Sequence, residues 1–168
     1  MLAFRGRLVA IYVAPRAGAP MTACVTVEAR PGTGLAGDRY ALGTGTYSAS
    51  GRGPRDVTLV EREAVDAVRA DGVALTEADT RRNLVTEGVP LTHLVGRTFR
   101  VGDVRLRGLR LAEPCAYLEQ LTGLAGVRAA LVHRGGLRAE VLDGGSVRVG
   151  DAIEPVDDDG SPAGVSTS

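Results

Sequence analysis

The sequence predicts a mixed α+β domain that is rich in β-strand, barrel-like, and completed by a few short helices. Three observations lead to this prediction. Short segments with strand-type patterns recur along the chain, amphipathic helical segments are few and brief, and 23 glycines and 8 prolines supply many turns. The 168 residues are enough for one domain with its own hydrophobic core, since domains span about 100–200 residues.

The chain begins with two predicted strands, at residues 4–13 and 22–30. In the second, Val25, Val27 and Ala29 alternate with polar residues, which is the period of a half-buried strand. The first leads into a run of seven apolar residues, 8–14, between arginines and small residues, a pattern that imitates a signal peptide. So short a run, rich in β-branched residues, fits a strand better, and we expect a cytoplasmic protein.

A long loop and a strand–helix unit follow. Residues 31–55 are rich in Gly, Ser and Thr without periodicity, and loops of that length are usually functional or mobile. Residues 56–60 predict a strand, and 61–71 predict an amphipathic helix that ends at the following glycine. Thr76 then caps a short helix, with Asp79 at the capping-box position.

The second half is predicted to be mainly β-structure. Its elements are, in order, a hairpin of strands 99–101 and 104–106 around Gly102-Asp103, a strand at 109–111, a helix from Pro114 to Thr122, a short helix at 127–132, and a second hairpin of strands 137–142 and 147–149. Residues 1–156 form the predicted domain. Residues 157–168 lack apolar side chains that could be buried and predict a disordered tail.

The composition excludes several classes of function. The 20 basic residues are all arginine and are balanced by 20 acidic residues, so a nucleic-acid binder is not expected. Without lysine, no internal aldimine with pyridoxal phosphate can form. No apolar run approaches the roughly 20 residues of a membrane-spanning helix, and no membrane association is expected.

One glycine motif imitates a dinucleotide site. Residues 32–37 match G-x-G-x-x-G, and Asp56 lies about 20 residues further on. No helix pattern follows Gly37, so the helix N-terminus that would hold a pyrophosphate is missing. The glycines are better explained as turn residues with positive φ.

Cys115 is the sharpest candidate for chemistry. It follows Glu113-Pro114 at the predicted start of a helix, where free backbone N–H groups and the helix dipole stabilise a thiolate. The alternative for a single cysteine is an inert, buried side chain. Cys24, within an alternating strand, is expected to be such a core residue.

Two further segments could bind an anion. Arg81 and Arg82 follow the short capped helix, and a planar guanidinium suits phosphate or carboxylate. His133 and Arg134 precede two glycines, which would let the backbone approach a ligand. For both segments the alternatives are a solvated helix end and a plain turn.

Together these segments resemble the MOSC domain, named after the C-terminal domain of molybdenum cofactor sulfurase. The matching stretches are GLAGDRY at 34–40, TRRNLV at 80–85, LVGRTF at 94–99, EPC at 113–115 with Leu118, and HRGGLRA at 133–139. The resemblance covers about residues 20–154 and is strongest to small, stand-alone bacterial members.

The resemblance implies a β-rich fold and a functional cysteine at Cys115. In the family this cysteine is proposed to carry sulfur as a persulfide or to ligate molybdenum in enzymes that contain molybdopterin. Arg81 and Asn83 match an Arg-x-Asn motif that helps to hold the pterin. Arg81, Arg39 and Arg134 would suit the phosphate of the cofactor. The remaining candidates for cofactor binding are Asp38 and His133, and residues 41–55 could form a lid.

The implied partners are a sulfur donor or acceptor protein and an electron-donor protein. Larger relatives enclose the cofactor with an additional N-terminal β-barrel domain, whereas about 20 residues precede the matching region here. Full enclosure would therefore require a second subunit, and the sequence leaves the oligomeric state open. The alternative function is a non-enzymatic domain that binds a small anion or a partner and in which Cys115 is buried and inert.

Overall fold

The computed structural model describes residues 2–45, 56–114 and 116–157. Its strands are β1 (Gly6–Val13), β2 (Thr22–Cys24), β3 (Thr26–Arg30), β4 (Gly34–Leu35), β5 (Val57–Glu61), β6 (Leu84–Glu87), β7 (Thr98–Val101), β8 (Val104–Leu111), β9 (Leu137–Asp143), β10 (Gly145–Arg148) and β11 (Ala152–Pro155). Its α-helices are α1 (Arg62–Ala70), α2 (Ala116–Thr122) and α3 (Val127–Ala130), and 3-10 turns lie at Ala78–Thr80 and Leu91–Leu94.

Seven of these strands form a closed barrel. Their order around it is β1, β6, β5, β9, β8, β7 and β11, and β11 pairs with β1, with Gly6 opposite Ile153. Neighbours are antiparallel except β5 and β6, which are parallel and are connected through α1. A parallel pair needs such a crossover because a tight turn reverses the strand direction. The predicted β-rich, barrel-like α+β fold is confirmed.

The barrel is filled by side chains that alternate inward along the strands. The largest fully buried side chains include Phe99, Leu8, Ile11, Leu59 and Leu106. A second cluster lies outside the barrel, where α1, α2 and α3 cover β5 and β6. Its buried members are Val60, Val65, Val68, Leu75, Val85, Leu118, Val127 and Leu131. The prediction that one face of α1 is apolar is thereby confirmed.

The predicted hairpin near the end of the chain is wrong. β9 pairs with β5 and β8 inside the barrel, whereas β10 pairs with β3 in a separate three-stranded sheet, ordered β10, β3, β4. Gly144 passes so close to β3 that a Cβ there would lie 2.6 Å from the carbonyl oxygen of Ala29. The glycines thus redirect the chain onto the second sheet instead of folding it back on β9.

The predicted strand 22–30 is also interrupted. β2 pairs with β1 of the barrel and β3 pairs with β10 of the second sheet, so the chain changes sheets at Val25. Val25 is 76% exposed, whereas Val27 and Ala29 are buried as predicted. The bend is held by a hydrogen bond from the Val149 amide to the Val25 carbonyl at 2.9 Å. Alternation therefore holds only from β3 onward.

Some predictions fall outside the described residues. These are the greater part of the predicted lid, residues 46–55, and nearly all of the predicted tail, residues 158–168. Across the described parts of the chain, no helix is long and apolar enough to cross a membrane.

Candidate functional site

Arg81 stands at a sharp left-handed turn that ends a short helix. The predicted capping box is confirmed, because the Thr76 amide donates to Asp79 Oδ2 at 2.9 Å and the Asp79 amide to Thr76 Oγ1 at 3.2 Å. The 3-10 turn that follows ends at Arg81, whose φ is +58°. Left-handed backbone at a non-glycine residue costs roughly 1 kcal/mol and so requires support from its surroundings.

The side chain of Arg81 runs into the protein. Its Nη1 donates to the carbonyl oxygen of Ala19 at 2.7 Å. Its Nη2 is buried and has no hydrogen-bond partner among the described residues. Burial lowers the pKa of Arg81, and the neighbouring Arg39 lowers it further, while Tyr117, Tyr40 and Asp38 act in the opposite direction. An unpaired buried donor next to a second cation is a position that an anion would complete.

Arg39 supports this turn by a hydrogen bond to its backbone. Its Nη2 donates to the carbonyl oxygen of Arg81 at 3.1 Å, and its Nη1 donates to Asp38 Oδ1 at 3.1 Å and contacts Met21 Sδ at 3.5 Å. The guanidinium carbon lies 4.8 Å from the centre of the Tyr40 ring. Arg39 and Asp38 are 5% and 0% exposed. We call Asp38, Arg39 and Arg81 the arginine cluster.

Asp38 serves the backbone as well as Arg39. Its Oδ1 accepts the Ala14 amide at 3.1 Å, and its Oδ2 accepts the Tyr40 amide at 3.3 Å. The carboxylate therefore connects the end of β1 to the loop after β4. One negative charge is present for two guanidinium groups, so the arginine cluster is net positive.

Asn83 holds strands together at the base of the site. Its Oδ1 accepts from both the amide and the hydroxyl of Thr58, at 3.1 and 3.2 Å, and its Nδ2 donates to the Tyr12 carbonyl at 3.0 Å. It is 1% exposed. Its side chain thereby joins β1, β5 and the start of β6, directly after the two arginines in the chain.

Arg82 points to a different place from Arg81. Its Nε donates to the carbonyl oxygen of Gly135 at 2.8 Å, and its Nη2 to that of Ala112 at 2.7 Å. The two carbonyls belong to the loop before β9 and to the segment after β8. Sequence reasoning treated Arg82 only as a substitute for Arg81, because the direction of each side chain depends on the left-handed turn between them.

His133 lies at the rim of the same loop. Its amide donates to Glu113 Oε2 at 3.0 Å, and its Nδ1 lies 3.8 Å from Glu113 Oε1. The imidazole is 86% exposed, and the backbone is left-handed with φ +64°. Glu113 therefore fixes the backbone of this turn and leaves the ring facing solvent.

Arg134, predicted to suit the phosphate, makes its hydrogen bonds to α3 and to the end of α1. Its Nε donates to the Ala130 carbonyl and its Nη2 to Asp71 Oδ2 at 2.9 Å. These bonds tie α3 to the end of α1, which gives Arg134 a structural role in this arrangement.

Cys115 lies outside the described residues. Its neighbours in sequence are placed. Pro114 packs against Gly135, and Tyr117 Oη lies 3.7 Å from where a Cβ on Gly18 would stand. α2 begins at Ala116, two residues later than Pro114, where the sequence placed its start.

Pro114 thus lies beside Gly135, which accepts from Arg82, and Tyr117 lies beside Gly18. Tyr117, which sequence reasoning missed, is one of the neighbouring groups that raise the pKa of Arg81 against the effect of burial. Its place two residues after Cys115 is the signal in the sequence that could have identified it. Cys24, by contrast, is a free thiol at the edge of the barrel core, half-buried as the last residue of β2.

The glycine motif forms turns, as predicted. Gly32, Gly34 and Gly37 all have positive φ, from +70° to +115°. Asp56 is buried and accepts the Val141 amide at 2.9 Å, and burial raises the pKa of its carboxyl. Among the described residues, no group of three or more His, Cys, Asp or Glu side chains could hold a metal ion.

Solved structures with the same fold come from several bacteria. The YuaD protein from Bacillus subtilis is 18% identical, with a TM-score of 0.72, covering 90% of this chain and 96% of that one. YiiM from Geobacillus stearothermophilus is 15% identical, with a TM-score of 0.69, covering 90% of this chain and 75% of that one. YiiM from Escherichia coli is 18% identical, with a TM-score of 0.60, covering 94% and 71%. At this level of identity the similarity shows the fold.

The sequence itself gives the assignment. Comparison with curated proteins found no match. A family model described as "MOSC domain" matches residues 26–154, which is most of the chain and nearly the region over which the motifs resemble that family. The chain therefore belongs to the MOSC domain family.

Proposed function

We propose that this protein binds molybdenum cofactor or carries sulfur, with Cys115 as the reactive residue. The observation that supports this most is the buried Nη2 of Arg81, which has no hydrogen-bond partner in the described parts of the chain and lies within a net-positive cluster. Molybdopterin carries a phosphate, and a planar guanidinium can face two phosphate oxygens at once. The residues present therefore fit the anionic end of this cofactor.

Each residue of the site has a separate task in this proposal. Arg81 would hold the phosphate, while Arg39 and Asp38 fix the turn on which Arg81 stands. Asn83 fixes that turn to the barrel, and the exposed imidazole of His133 lies at the rim, where it could donate to an anionic group. Arg134 would act indirectly, by holding α3 against α1.

Cys115 would supply a soft ligand or a nucleophile. A thiolate is a preferred type of ligand for soft transition metals, and bound cofactor would supply the redox chemistry for reduction of N–O bonds or transfer of oxygen. In the sulfur-carrier mechanism, the Cys115 thiolate attacks the outer sulfur of a donor persulfide. The donor's S–S bond breaks, the donor leaves as a thiolate, and Cys115 becomes the persulfide.

The arginine cluster would equally serve a domain that only binds a small anion. In that alternative Cys115 has no part, and native protein would label slowly with iodoacetamide at this residue. The partner proteins expected for the leading proposal are a sulfur donor or acceptor and an electron donor, with the protein acting in the cytoplasm as an oxidoreductase or sulfur carrier.

The test is purification from a host supplied with molybdenum, with and without air, followed by metal analysis, fluorescent-pterin analysis and intact mass. Stoichiometric molybdenum with pterin supports cofactor binding, and a gain of one sulfur atom supports the persulfide carrier. In both cases Arg81→Lys should weaken pterin or phosphate binding. Arg69→Lys, on α1, is the matched control and should change neither. Protein with neither molybdenum nor added sulfur would contradict the proposal.

A further inference from the structure

Several hydrogen bonds hold the segment that precedes Cys115. Residues 112–114 connect β8 to α2. The Ala112 amide donates to the Gly136 carbonyl at 2.8 Å, and Glu113 Oε2 accepts the His133 amide at 3.0 Å. The loop before β9 therefore lines this segment on one side.

Arg82 bridges residues 112–114 and the loop before β9. One guanidinium donates to Ala112 and Gly135 at once, at 2.7 and 2.8 Å. These carbonyls belong to residues far apart in sequence, and a fork with fixed angles between its N–H groups can satisfy both together. A charged donor also makes a stronger hydrogen bond than a neutral one.

Gly135 shows how little room the arrangement leaves. A Cβ on this residue would lie 2.5 Å from the Ala112 oxygen and 3.1 Å from Pro114 Cδ. The loop and the segment are therefore in contact along the backbone, and no side chain could be placed between them. Arg82 donates hydrogen bonds to both backbones at this contact.

Arg82 is itself fixed at its base. Its amide donates to Thr80 Oγ1 at 3.3 Å, and the next residue is the buried Asn83. Its side chain is partly buried and extends away from the arginine cluster. Arg82 thus links the turn that supports Arg81 to the segment that contains the cysteine.

We propose that Arg82 is a positioning residue that holds residues 112–114, which precede Cys115 in the chain, against the loop before β9. This inference rests on the proposed function, since it takes Cys115 as the reactive residue. Arg82 touches neither sulfur donor nor cofactor in this account. Its loss should therefore lower the rate of chemistry at Cys115 and leave the affinity for the donor unchanged.

The experiment compares Arg82→Met and Arg82→Lys with the wild-type protein and with Arg69→Met as a matched control. Arg69, in the last turn of α1, likewise donates to a backbone carbonyl, that of Leu75. Hydrogen–deuterium exchange is measured at the amides of Ala112 and His133. Sulfur uptake by Cys115 is measured by mass spectrometry at increasing concentrations of glutathione persulfide.

In Arg82→Met the two amides should exchange faster while amides of α1 keep their wild-type rates. The limiting rate of sulfur uptake should fall about tenfold with an unchanged half-saturating concentration of donor, because a small misplacement of a reacting group is costly. Arg82→Lys, which cannot face both carbonyls, should change both measurements in the same direction by less. If Arg82→Met does not fold, the Lys variant decides alone.

Wild-type exchange and uptake in the folded Arg82 variants would overturn the proposal. So would a uniform rise of exchange throughout the protein, which a purely structural loss would cause, or a raised half-saturating concentration with the limiting rate intact, which would make Arg82 a binding residue. Wild-type protein that takes up neither sulfur nor molybdenum would instead contradict the proposed function, while the exchange measurement would still decide whether Arg82 holds the segment.

Discussion

Arg39 donates a hydrogen bond from Nη2 to the backbone carbonyl oxygen of Arg81, with 3.1 Å between the two atoms. The bond joins two residues that lie 42 positions apart in the chain. It supports the left-handed turn of Arg81, and the same guanidinium is paired with the buried carboxylate of Asp38. Arg39 therefore acts as framework, and Arg81 presents a buried donor that has no partner among residues 2–45, 56–114 and 116–157.

Arg39→Met should destabilise the protein by about 3 kcal/mol, because it leaves the buried Asp38 carboxylate without its cation and the Arg81 carbonyl without its donor. Urea unfolding at neutral pH measures this loss. Arg97→Met, at an exposed position, is the control and should stay within about 0.5 kcal/mol of wild type. If the two variants were equally stable, Arg39 would have no framework role.

Asp56 predicts a pH-dependent contribution to stability. Burial raises the pKa of its carboxyl above the ordinary value of 3.8, so the folded state holds the proton more tightly than the unfolded state does. The resulting stabilisation is fully present below the ordinary pKa and is lost as pH rises through the raised one. Asp56→Asn cannot titrate and keeps an oxygen that can accept the Val141 amide.

The free energy of unfolding of wild type minus that of Asp56→Asn should therefore fall as pH rises from about 3, and then become constant. Urea titrations at a series of pH values measure this difference. Asp103→Asn removes an exposed carboxylate and controls for the change in net charge. A difference that rises with pH would show that the buried carboxylate is stabilised in its charged form.

Gly136 lies where the loop before β9 crosses β5. Its φ is +112°, and a Cβ there would overlap the Leu59 carbonyl oxygen. Gly136→Ala should cost more than about 3 kcal/mol, because the loop must move away from the barrel. Gly72→Ala is the matched control, since Gly72 has a similar φ of +94° and open space around it.

For Gly72→Ala only the cost of left-handed backbone remains, about 1 kcal/mol. Thermal unfolding of the two variants separates the two effects. Equal losses would mean that the close approach at Gly136 is relieved by a small shift and has no part in holding the loop.

Local signals in the sequence predicted local structure well. The pattern of Thr76 and Asp79 identified a capping box, Gly102-Asp103 identified the hairpin of β7 and β8, and the apolar face identified α1. Each depends on residues within a few positions of one another, where backbone preference and side-chain spacing decide the outcome.

Long-range pairing was not accessible in the same way. β6 and β11 have four residues each and, unlike β7, were not marked by a hairpin turn, because they pair with strands that are distant in the sequence. β10 joins β3 across more than a hundred residues. In the site, the sequence marked Arg81 and Arg82 together but could not separate their tasks. The separation depends on a left-handed φ at Arg81. Contacts of Arg39 and Asn83 with the rest of the fold stabilise that backbone conformation.

The most direct test of the account is the loading of Cys115→Ser and Cys24→Ser, compared by molybdenum content, pterin fluorescence and sulfur mass gain under identical purification. We expect Cys115→Ser to fold normally and to lose the molybdenum or the added sulfur, because a serine hydroxyl stays protonated and is a poor ligand for a soft metal. Cys24→Ser should keep the loading and lose some stability at the edge of the core. A Cys115→Ser protein that retained full loading would contradict the central claim and favour a domain that binds an anion without using its cysteine.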